Sequence, residues 1–259
     1  MLLYVIVCVF GAVIGSFLNV CIYRIPRKQS IIFPSSRCPS CNTPIRARDN
    51  IPILSYLFLF GRCRSCGNRI SPRYPLVEAL NVLLYAAVLW RYGIGLDFVI
   101  YCLLLSALVV ITFIDLDFLI IPDRITLVGI PLGLAAGCFI LPDPFMRASS
   151  LGYKAAIMGA LGGFIFYFLM AELSIRLFRK EGMGGGDIKL MAMIGGVMGW
   201  KTVILTTFAG SLLGSIVGTI VMVVKGKGRG TLIPFGPFLA MGAVISLLFG
   251  QEILAWYLH

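Results

Sequence analysis

Long, nearly uninterrupted apolar stretches are the feature of this sequence that most constrains its fold. They recur along 259 residues, of which 59% are hydrophobic and only 13% are charged, and the mean hydropathy is +0.97. A typical soluble domain is about 45–50% apolar and about 25% charged, whereas disordered chains have low hydrophobicity. The composition therefore excludes both of these classes and predicts a protein that crosses a membrane several times.

A membrane-crossing helix needs about 20 apolar residues, and we predict about eight such helices in an all-α polytopic membrane protein. In this interpretation residues 1–23 form an N-terminal transmembrane helix, residues 24–73 form a polar loop, and residues 74–259 hold the remaining spans. The predicted spans are 2–23, 74–91, 97–114, 124–141, 151–178, 186–199, 202–224 and 232–256.

The distribution of the basic residues predicts how these spans are oriented. Lys and Arg accumulate in cytoplasmic loops, and ten of the 22 lie in the loop over 24–73. If that loop is cytosolic and successive spans cross the membrane in opposite directions, both termini lie outside. Few basic residues then lie on the outer side, namely Arg91, Arg147, Lys154 and Lys201. The net charge of +11 is then explained by cytosolic loops, without a nucleic acid partner. We expect residues 1–23 to be an anchor and not a signal peptide, because basic residues follow the apolar run instead of preceding it.

Four cysteines in the polar loop form two Cys-x-x-Cys pairs, a pattern typical of a four-thiolate zinc site. A loop of about 50 residues has too little core to fold alone, so a structural zinc ion would staple it. The alternative interpretation, disulfides or redox motifs, fits a reducing cytosol poorly. Four thiolates close the coordination sphere, so we expect no catalysis by the metal; its predicted ligands are Cys38, Cys41, Cys63 and Cys66.

Two groups of carboxylates are candidates for a catalytic role. An ionisable side chain within a membrane costs free energy, so a carboxylate found there is a functional candidate by default. Asp115 lies where the third predicted span reaches the cytosol, and Asp187 lies where the sixth begins. Two facing carboxylates cannot both ionise easily, so they would share a proton, one accepting a proton from water and the other polarising a scissile carbonyl. Aspartyl-protease chemistry of this kind needs no histidine, and the one histidine is the C-terminal His259. The alternative interpretation of the glycines at 184–186 is a flexible turn.

The ordered set of motifs resembles the bacterial type IV prepilin peptidase family. The resemblance covers about residues 11–199. Besides the two Cys-x-x-Cys pairs, the matching segments are Gly15-Ser-Phe-Leu-Asn19-Val-Cys-Ile-Tyr-Arg24-Ile-Pro26, Asn50-Ile-Pro-Ile-Leu-Ser-Tyr-Leu, Arg73-Tyr-Pro-Leu-Val-Glu78, Asp115-Leu-Asp117 through Pro122-Asp123, and Gly182-Met-Gly-Gly-Gly-Asp187-Ile-Lys189-Leu.

The resemblance implies an inner-membrane aspartyl protease of the GxGD type. Such enzymes cut the basic leader from type IV prepilins and type II secretion pseudopilins at the cytosolic membrane face. They then N-methylate the new N-terminal residue with S-adenosylmethionine. By motif position, Asp115 and Asp187 would be the catalytic pair, and Gly184 and Gly186 would complete the GxGD motif.

The resemblance also bears on the start of the second span, where Glu78 and Arg73 are candidates for methyl transfer or for docking the loop. Pairing of Glu78 with a loop arginine is the simpler interpretation. The implied partners are the pilin substrates and the lipid bilayer, and no oligomeric state is predicted.

Two other functions are compatible with the residues alone. A proton- or cation-coupled carrier also uses intramembrane carboxylates, but it would place them near the bilayer midplane. A membrane assembly factor with a zinc loop would catalyse nothing, and its function would survive Asp115→Asn and Asp187→Asn.

Overall fold

The computed structural model describes residues 1–178, 183–225 and 233–258, and these residues are mostly helical. The chain divides into two compact units, Met1–Val110 and Ile111–His259. The basic loops expected near 179–186 and 225–231 lie partly outside the described residues, and His259 lies outside them as well.

The first unit is built on α1 (Leu2–Arg24) and α3 (Arg73–Tyr92), which pack against each other. Between them lie a short 3-10 helix, Ala47–Asp49, and α2 (Leu54–Phe58). The close approach of the two long helices requires glycine on α1, because a Cβ at Gly15 would lie 2.8 Å from the Cα of Glu78. The first part of α4 (Leu96–Phe118) completes this unit.

The second unit contains the end of α4 and four further helices. In this unit α7 packs against α5, α6 and α8, so it is the central element. An antiparallel strand pair joins α5 to α6, with Pro142 opposite Ser150. The bounds are α5 (Asp123–Phe139), β1 (Pro142–Asp143), β2 (Met146–Ser150), α6 (Gly152–Phe178), α7 (Gly185–Lys225) and α8 (Gly236–Leu258).

A break at Gly199 divides α7 into two helical segments. Its φ of 81° lies in the region that favours glycine, and the break falls between the sixth and seventh predicted spans. A straight helix of 41 residues would be about 60 Å long, twice the thickness of a bilayer core. The break therefore lets the chain turn within α7.

Five of the described helices are long and apolar enough to cross a membrane: α1, α4, α6, α7 and α8. Of these, α7 is one helix in length and composition even though Gly199 breaks it. Neither α3 nor α5 meets the same requirement, and α5 has only 17 residues. The chain is thus a helical membrane protein, and the predicted number of eight spans stays a prediction.

Ion pairs mark the two ends of the second unit. At the end where α5 finishes, Lys201 lies 2.7 Å from Asp143, and Arg147 lies 3.0 Å from Glu252. At the end where α5 begins, Lys189 lies 2.7 Å from Asp123. Both aspartates of the candidate pair lie at this second end.

Candidate active site and metal centre

Asp115 lies three residues before the end of α4, in the second unit, and only 6% of its surface is exposed. Its Oδ2 accepts a hydrogen bond of 2.9 Å from the backbone N–H of Gly236, the first residue of α8. A buried carboxylate needs such a donor to offset its lost hydration. The start of α8 therefore supports Asp115 from a helix 121 residues further along the chain.

Asp187 is the third residue of α7 and is 8% exposed. Its backbone N–H donates to the carbonyl oxygen of Gly184 over 3.1 Å, which closes the turn that precedes the helix. The charge of Asp115 acts on the Asp187 carboxyl, so the two predicted catalytic residues are electrostatic neighbours in the folded chain. The charge of Asp187 also acts on the hydroxyl of the buried Tyr167 of α6. That hydroxyl lies 3.0 Å from the hydroxyl of Thr207.

Missing side chains let the elements around this pair approach one another. A Cβ at Gly186 would lie 2.7 Å from the Cβ of Ile121, in the turn between α4 and α5. A Cβ at Gly236 would lie 2.7 Å from Oδ2 of Asp115 and 3.4 Å from Ile121. A real Cβ essentially never comes so close, so both positions require glycine. Gly184 has more room, because the described atom nearest to a Cβ at this position is Oδ2 of Asp187, at 3.6 Å.

The geometry suits acid–base chemistry on water. Two buried carboxylates that influence each other can divide a single proton, so that one is a base and the other an acid. Both lie near helix ends rather than at helix centres, whereas a carrier would place its carboxylates near the bilayer midplane. The arrangement therefore favours hydrolysis over transport.

Sequence reasoning missed Gly236 and Ile121. Gly236 acts through its backbone N–H, which no residue type reveals, although the segment Pro234-Phe-Gly-Pro237 interrupts an apolar stretch and could have drawn attention. The Asp123–Lys189 ion pair was also missed as a contact, although both residues lie in the quoted motifs.

The four cysteines of the polar loop come together in the first unit. Their sulfur atoms all lie within 4.8 Å of one another, and Sγ of Cys38 lies 3.9 Å from Sγ of Cys66. Zn–S bonds of about 2.3 Å in a tetrahedron give sulfur–sulfur distances of about 3.8 Å. The donor set therefore fits a zinc ion.

Two similar turns build this cluster. In the first turn, the N–H of Cys38 donates to the carbonyl oxygen of Thr43, and the N–H of Asn42 donates to the carbonyl oxygen of Cys38. In the second turn, the N–H of Cys63 donates to the carbonyl oxygen of Asn68, and the N–H of Gly67 donates to the carbonyl oxygen of Cys63. Asn42 and Gly67 both have positive φ, 57° and 72°, which lets each chain reverse after its second cysteine.

Local hydrogen bonds favour the thiolate, the form that binds a metal, at two of the four cysteines. The Thr43 hydroxyl, followed by its backbone, lowers the pKa of Cys41 to about 6. Backbone N–H groups of Cys66 and Ser65 lower the pKa of Cys63. At Cys66 the backbone N–H of Asn68 also favours the thiolate, but desolvation and the neighbouring thiols outweigh it and raise the pKa to about 11. Arg64, between the second pair, lies 2.8 Å from Asp49 and lowers the pKa of that carboxyl, which ties the 3-10 helix to the cluster.

Glu78 is buried on α3, and its Oε2 accepts a 2.7 Å hydrogen bond from the backbone N–H of Ile53. The hydroxyl of Ser16 on α1 also bonds to this carboxylate. Ile53 has φ of 61°, which is rare for a β-branched residue and therefore needs support from its surroundings. Glu78 thus holds the polar loop through a backbone N–H rather than through a loop arginine. Arg73, the other candidate, is the first residue of α3, and its N–H donates to Ser71.

Comparison with known proteins gives two matching family descriptions. The bacterial peptidase A24 N-terminal domain matches residues 9–92, and the type IV leader peptidase family matches residues 102–219. The first match contains the cysteine cluster and Glu78, and the second contains Asp115 and Asp187.

Curated relatives match nearly the whole chain and share the name prepilin leader peptidase/N-methyltransferase. The relative from Aeromonas hydrophila is 38% identical and covers 99% of this chain and 94% of its own length. The Pseudomonas putida relative is 37% identical, with coverages of 95% and 91%. The relative from Bacillus subtilis (strain 168) is 36% identical, with coverages of 98% and 97%. No solved structure matches this chain.

Proposed function

Because the chain belongs to the type IV leader peptidase family, we propose that it is a membrane-bound aspartic endopeptidase and N-methyltransferase that processes prepilins and pseudopilins. The observation that carries the peptidase assignment is the pair of buried, interacting carboxylates, Asp115 and Asp187, at one end of the second unit. Gly184 and Gly186 complete the GxGD motif that leads into α7.

The proposed peptidase reaction needs only water and the two carboxyl groups. One carboxylate removes a proton from water as the water oxygen attacks the scissile carbonyl carbon. The other carboxyl group donates its proton to the carbonyl oxygen, so a tetrahedral intermediate forms without a free oxyanion. Burial of both residues keeps bulk water away and strengthens these interactions.

The substrate class follows from where the pair lies. A prepilin has a basic leader followed by an apolar helix, so its cleavage site lies at the junction of cytosol and membrane. Carboxylates at the ends of α4 and α7 would meet that junction if this end of the unit faces the cytosol. We therefore propose eight spans in a bacterial inner membrane, with both termini periplasmic and the active site at the cytosolic face.

The metal and methyl-transfer parts of the proposal concern the first unit. Cys38, Cys41, Cys63 and Cys66 would hold a structural zinc ion, which ties the two turns of the loop together when bound. Methyl transfer with S-adenosylmethionine is supported by the name of the relatives. Glu78 and Arg73 stay the candidate residues for it, and the contact with Ile53 favours a docking role for Glu78.

Cleavage of a prepilin by the purified protein tests the peptidase assignment. The protein in detergent is incubated with a prepilin, with and without S-adenosylmethionine, and the products are weighed by mass spectrometry. We expect cleavage in both mixtures, a methylated product with the methyl donor, and no cleavage by Asp115→Asn or Asp187→Asn. Asp117→Asn is the matched control, because Asp117 is exposed on the same helix.

An uncut prepilin with folded wild-type protein would contradict the proposed peptidase activity. Normal cleavage by both active-site variants would instead favour an assembly factor. For the metal, elemental analysis of the wild type beside Cys38→Ser is expected to show zinc only in the wild type. Cys138→Ser, which changes a cysteine on α5, is expected to keep the metal.

A further inference from the structure

Residues 51–60 form an apolar segment inside the strongly basic polar loop. The loop over 24–73 contains ten Lys and Arg residues and one acidic residue, Asp49, yet the ten residues from Ile51 to Phe60 carry no charge. An apolar run of this length is too short to cross a membrane, and it is typical of a buried core helix or of a segment at the membrane interface. Its surroundings in the first unit distinguish these two possibilities.

The apolar side chains of this segment lie on the surface of the first unit. Leu54, Leu57 and Phe58 share one face of α2, because residues three and four apart lie on the same side of a helix. Leu57 is 61% exposed and Phe58 is 77% exposed, and Phe60, just beyond the helix, is 89% exposed. The segment is therefore not a core helix among the described residues.

The opposite side of α2 is attached to the second cysteine turn. The hydroxyl of the half-buried Tyr56 donates to the carbonyl oxygen of Ile70 over 3.4 Å. The N–H of Gly61 donates to the carbonyl oxygen of Tyr56 over 2.9 Å, and the N–H of Ile70 donates to that of Gly61 over 2.7 Å. The segment thus has polar contacts on one side and an apolar face on the other, as a helix that lies in a membrane interface does.

The contact with Glu78 sets the depth of the segment. Gly15 on α1 faces Glu78 and lies nine residues before the end of that helix, which corresponds to about 13 Å along its axis. Glu78 itself lies five residues, or about 7.5 Å, after the start of α3. Because its carboxylate accepts the N–H of Ile53, α2 begins beside the two long helices and not beyond their ends. Helix α1 is long and apolar enough to cross the membrane, so this level lies within the membrane boundary.

We propose that residues 51–60 insert into the lipid leaflet on the side of the polar loop, with Leu57, Phe58 and Phe60 among the acyl chains. Interfacial helices lie about 5–10 Å into the boundary of headgroups and acyl chains, and basic residues on their polar side contact anionic lipids. Exposed arginines flank the segment on both sides, namely Arg46, Arg48, Arg62 and Arg69. The inserted segment would hold the cysteine cluster at the membrane surface, since Cys63 follows Phe60 by only three residues.

The charge of the loop favours anionic lipid as the partner of this surface. Anionic headgroups attract clusters of basic residues beside a membrane. Asp49, the one acidic residue of the loop, is paired with Arg64, so the loop has a large positive surplus. A prepilin leader is itself basic and would be repelled by that surplus.

Fluorescence quenching of a single tryptophan tests the insertion. The native tryptophans are all exposed and are first replaced by phenylalanine at Trp90, Trp200 and Trp256. Phe58→Trp then places the one tryptophan on the apolar face of α2. Gln29→Trp is the matched control, because Gln29 is exposed in the same loop but lies beyond the end of α1. The full chain is reconstituted in nanodiscs of phosphatidylcholine brominated on its acyl chains, and acrylamide measures access from water.

We expect brominated lipid to quench Phe58→Trp at least about twofold more than Gln29→Trp, and acrylamide to show the reverse order, because acyl chains surround only the first position. Equal quenching of the two variants by lipid, or stronger quenching of Phe58→Trp by acrylamide, would show that the segment lies in water and would overturn the proposal. Protection of Phe58→Trp from both quenchers would overturn it too, because protein would then cover the face, whether from the second unit or from a second copy.

Replacing part of the phosphatidylcholine with phosphatidylglycerol tests the role of the arginines. We expect the emission of Phe58→Trp to shift further to the blue with this anionic lipid. The shift should disappear in the combined variant Arg46→Gln, Arg48→Gln and Arg62→Gln. Identical spectra in the two lipids would overturn the assignment of anionic headgroups. These measurements involve no prepilin, so their failure can be told apart from a failure of the proposed peptidase activity.

Discussion

At the scale of single residues, the candidate site depends on glycines, because a residue without a Cβ lets the neighbouring elements come close. Gly186 and Gly236 approach Ile121 and Asp115 so closely that neither position has room for a methyl group. Gly185, between Gly184 and Gly186, has none of the described atoms within 4 Å of its potential Cβ. The three glycines of the motif therefore have different roles, and only the third is fixed by packing.

This difference predicts the outcome of an alanine scan of the motif. Gly186→Ala should destabilise the protein by about 1–3 kcal/mol, because its Cβ would be pressed against Ile121. The displacement of the neighbouring Asp187 should lower kcat for cleavage by up to about a hundredfold. Gly185→Ala should leave both the stability and kcat unchanged, since no described atom lies near its new Cβ. Thermal unfolding in detergent and a prepilin cleavage assay measure the two effects, and equal behaviour of the variants would contradict the packing argument.

Residue types in the sequence were sufficient to nominate the carboxylates and the cysteines, because those groups carry their chemistry in their side chains. The residues that contact these groups could not be predicted from residue types. Gly236 donates from its backbone, and Ile121 matters through its shape, so neither shows a chemical signature in the sequence. The partner of Glu78 was missed for the same reason, since Ile53 also offers a backbone N–H.

At the scale of elements, hydropathy located the long helices to within a few residues. The predicted spans over 2–23, 97–114 and 124–141 overlap α1, α4 and α5. The pattern could not indicate how polar segments attach to these helices. A buried carboxylate on α3 holds the segment around α2, and this contact depends on the unusual backbone of Ile53.

The attachment of α2 can be tested by limited proteolysis. Glu78→Ala should leave the Ile53 N–H without its acceptor, which destabilises this contact by about 1–3 kcal/mol. We expect faster protease cleavage near residues 51–58 in this variant. Glu78→Gln retains a side-chain oxygen that can accept the hydrogen bond, so it should be cut at nearly the wild-type rate. Equal cutting of wild type and Glu78→Ala would show that Glu78 does not secure the segment.

At the scale of the whole molecule, the charges constrain how the second unit lies in the membrane. Lys201, Arg147 and their acidic partners mark one end of the unit, and the Asp123–Lys189 pair and both candidate catalytic residues mark the other. Within this unit, most of the Lys and Arg residues lie in the sequence that flanks the second end. Since basic residues accumulate on the cytoplasmic side, the candidate site should face the cytosol and the strand pair should face the periplasm.

Labelling of single introduced thiols in intact bacteria tests this orientation. Ser149 is exposed on β2 and Ser35 is exposed in the polar loop, so each tolerates a small thiol. With a membrane-impermeant maleimide, we expect Ser149→Cys to be labelled in intact cells and Ser35→Cys only after permeabilisation. The wild type measures labelling of the eight native cysteines, none of which lies in the strand pair. Labelling of Ser35→Cys in intact cells, with Ser149→Cys protected, would place the carboxylate pair on the periplasmic side, where it could not meet the basic leader of a prepilin before export.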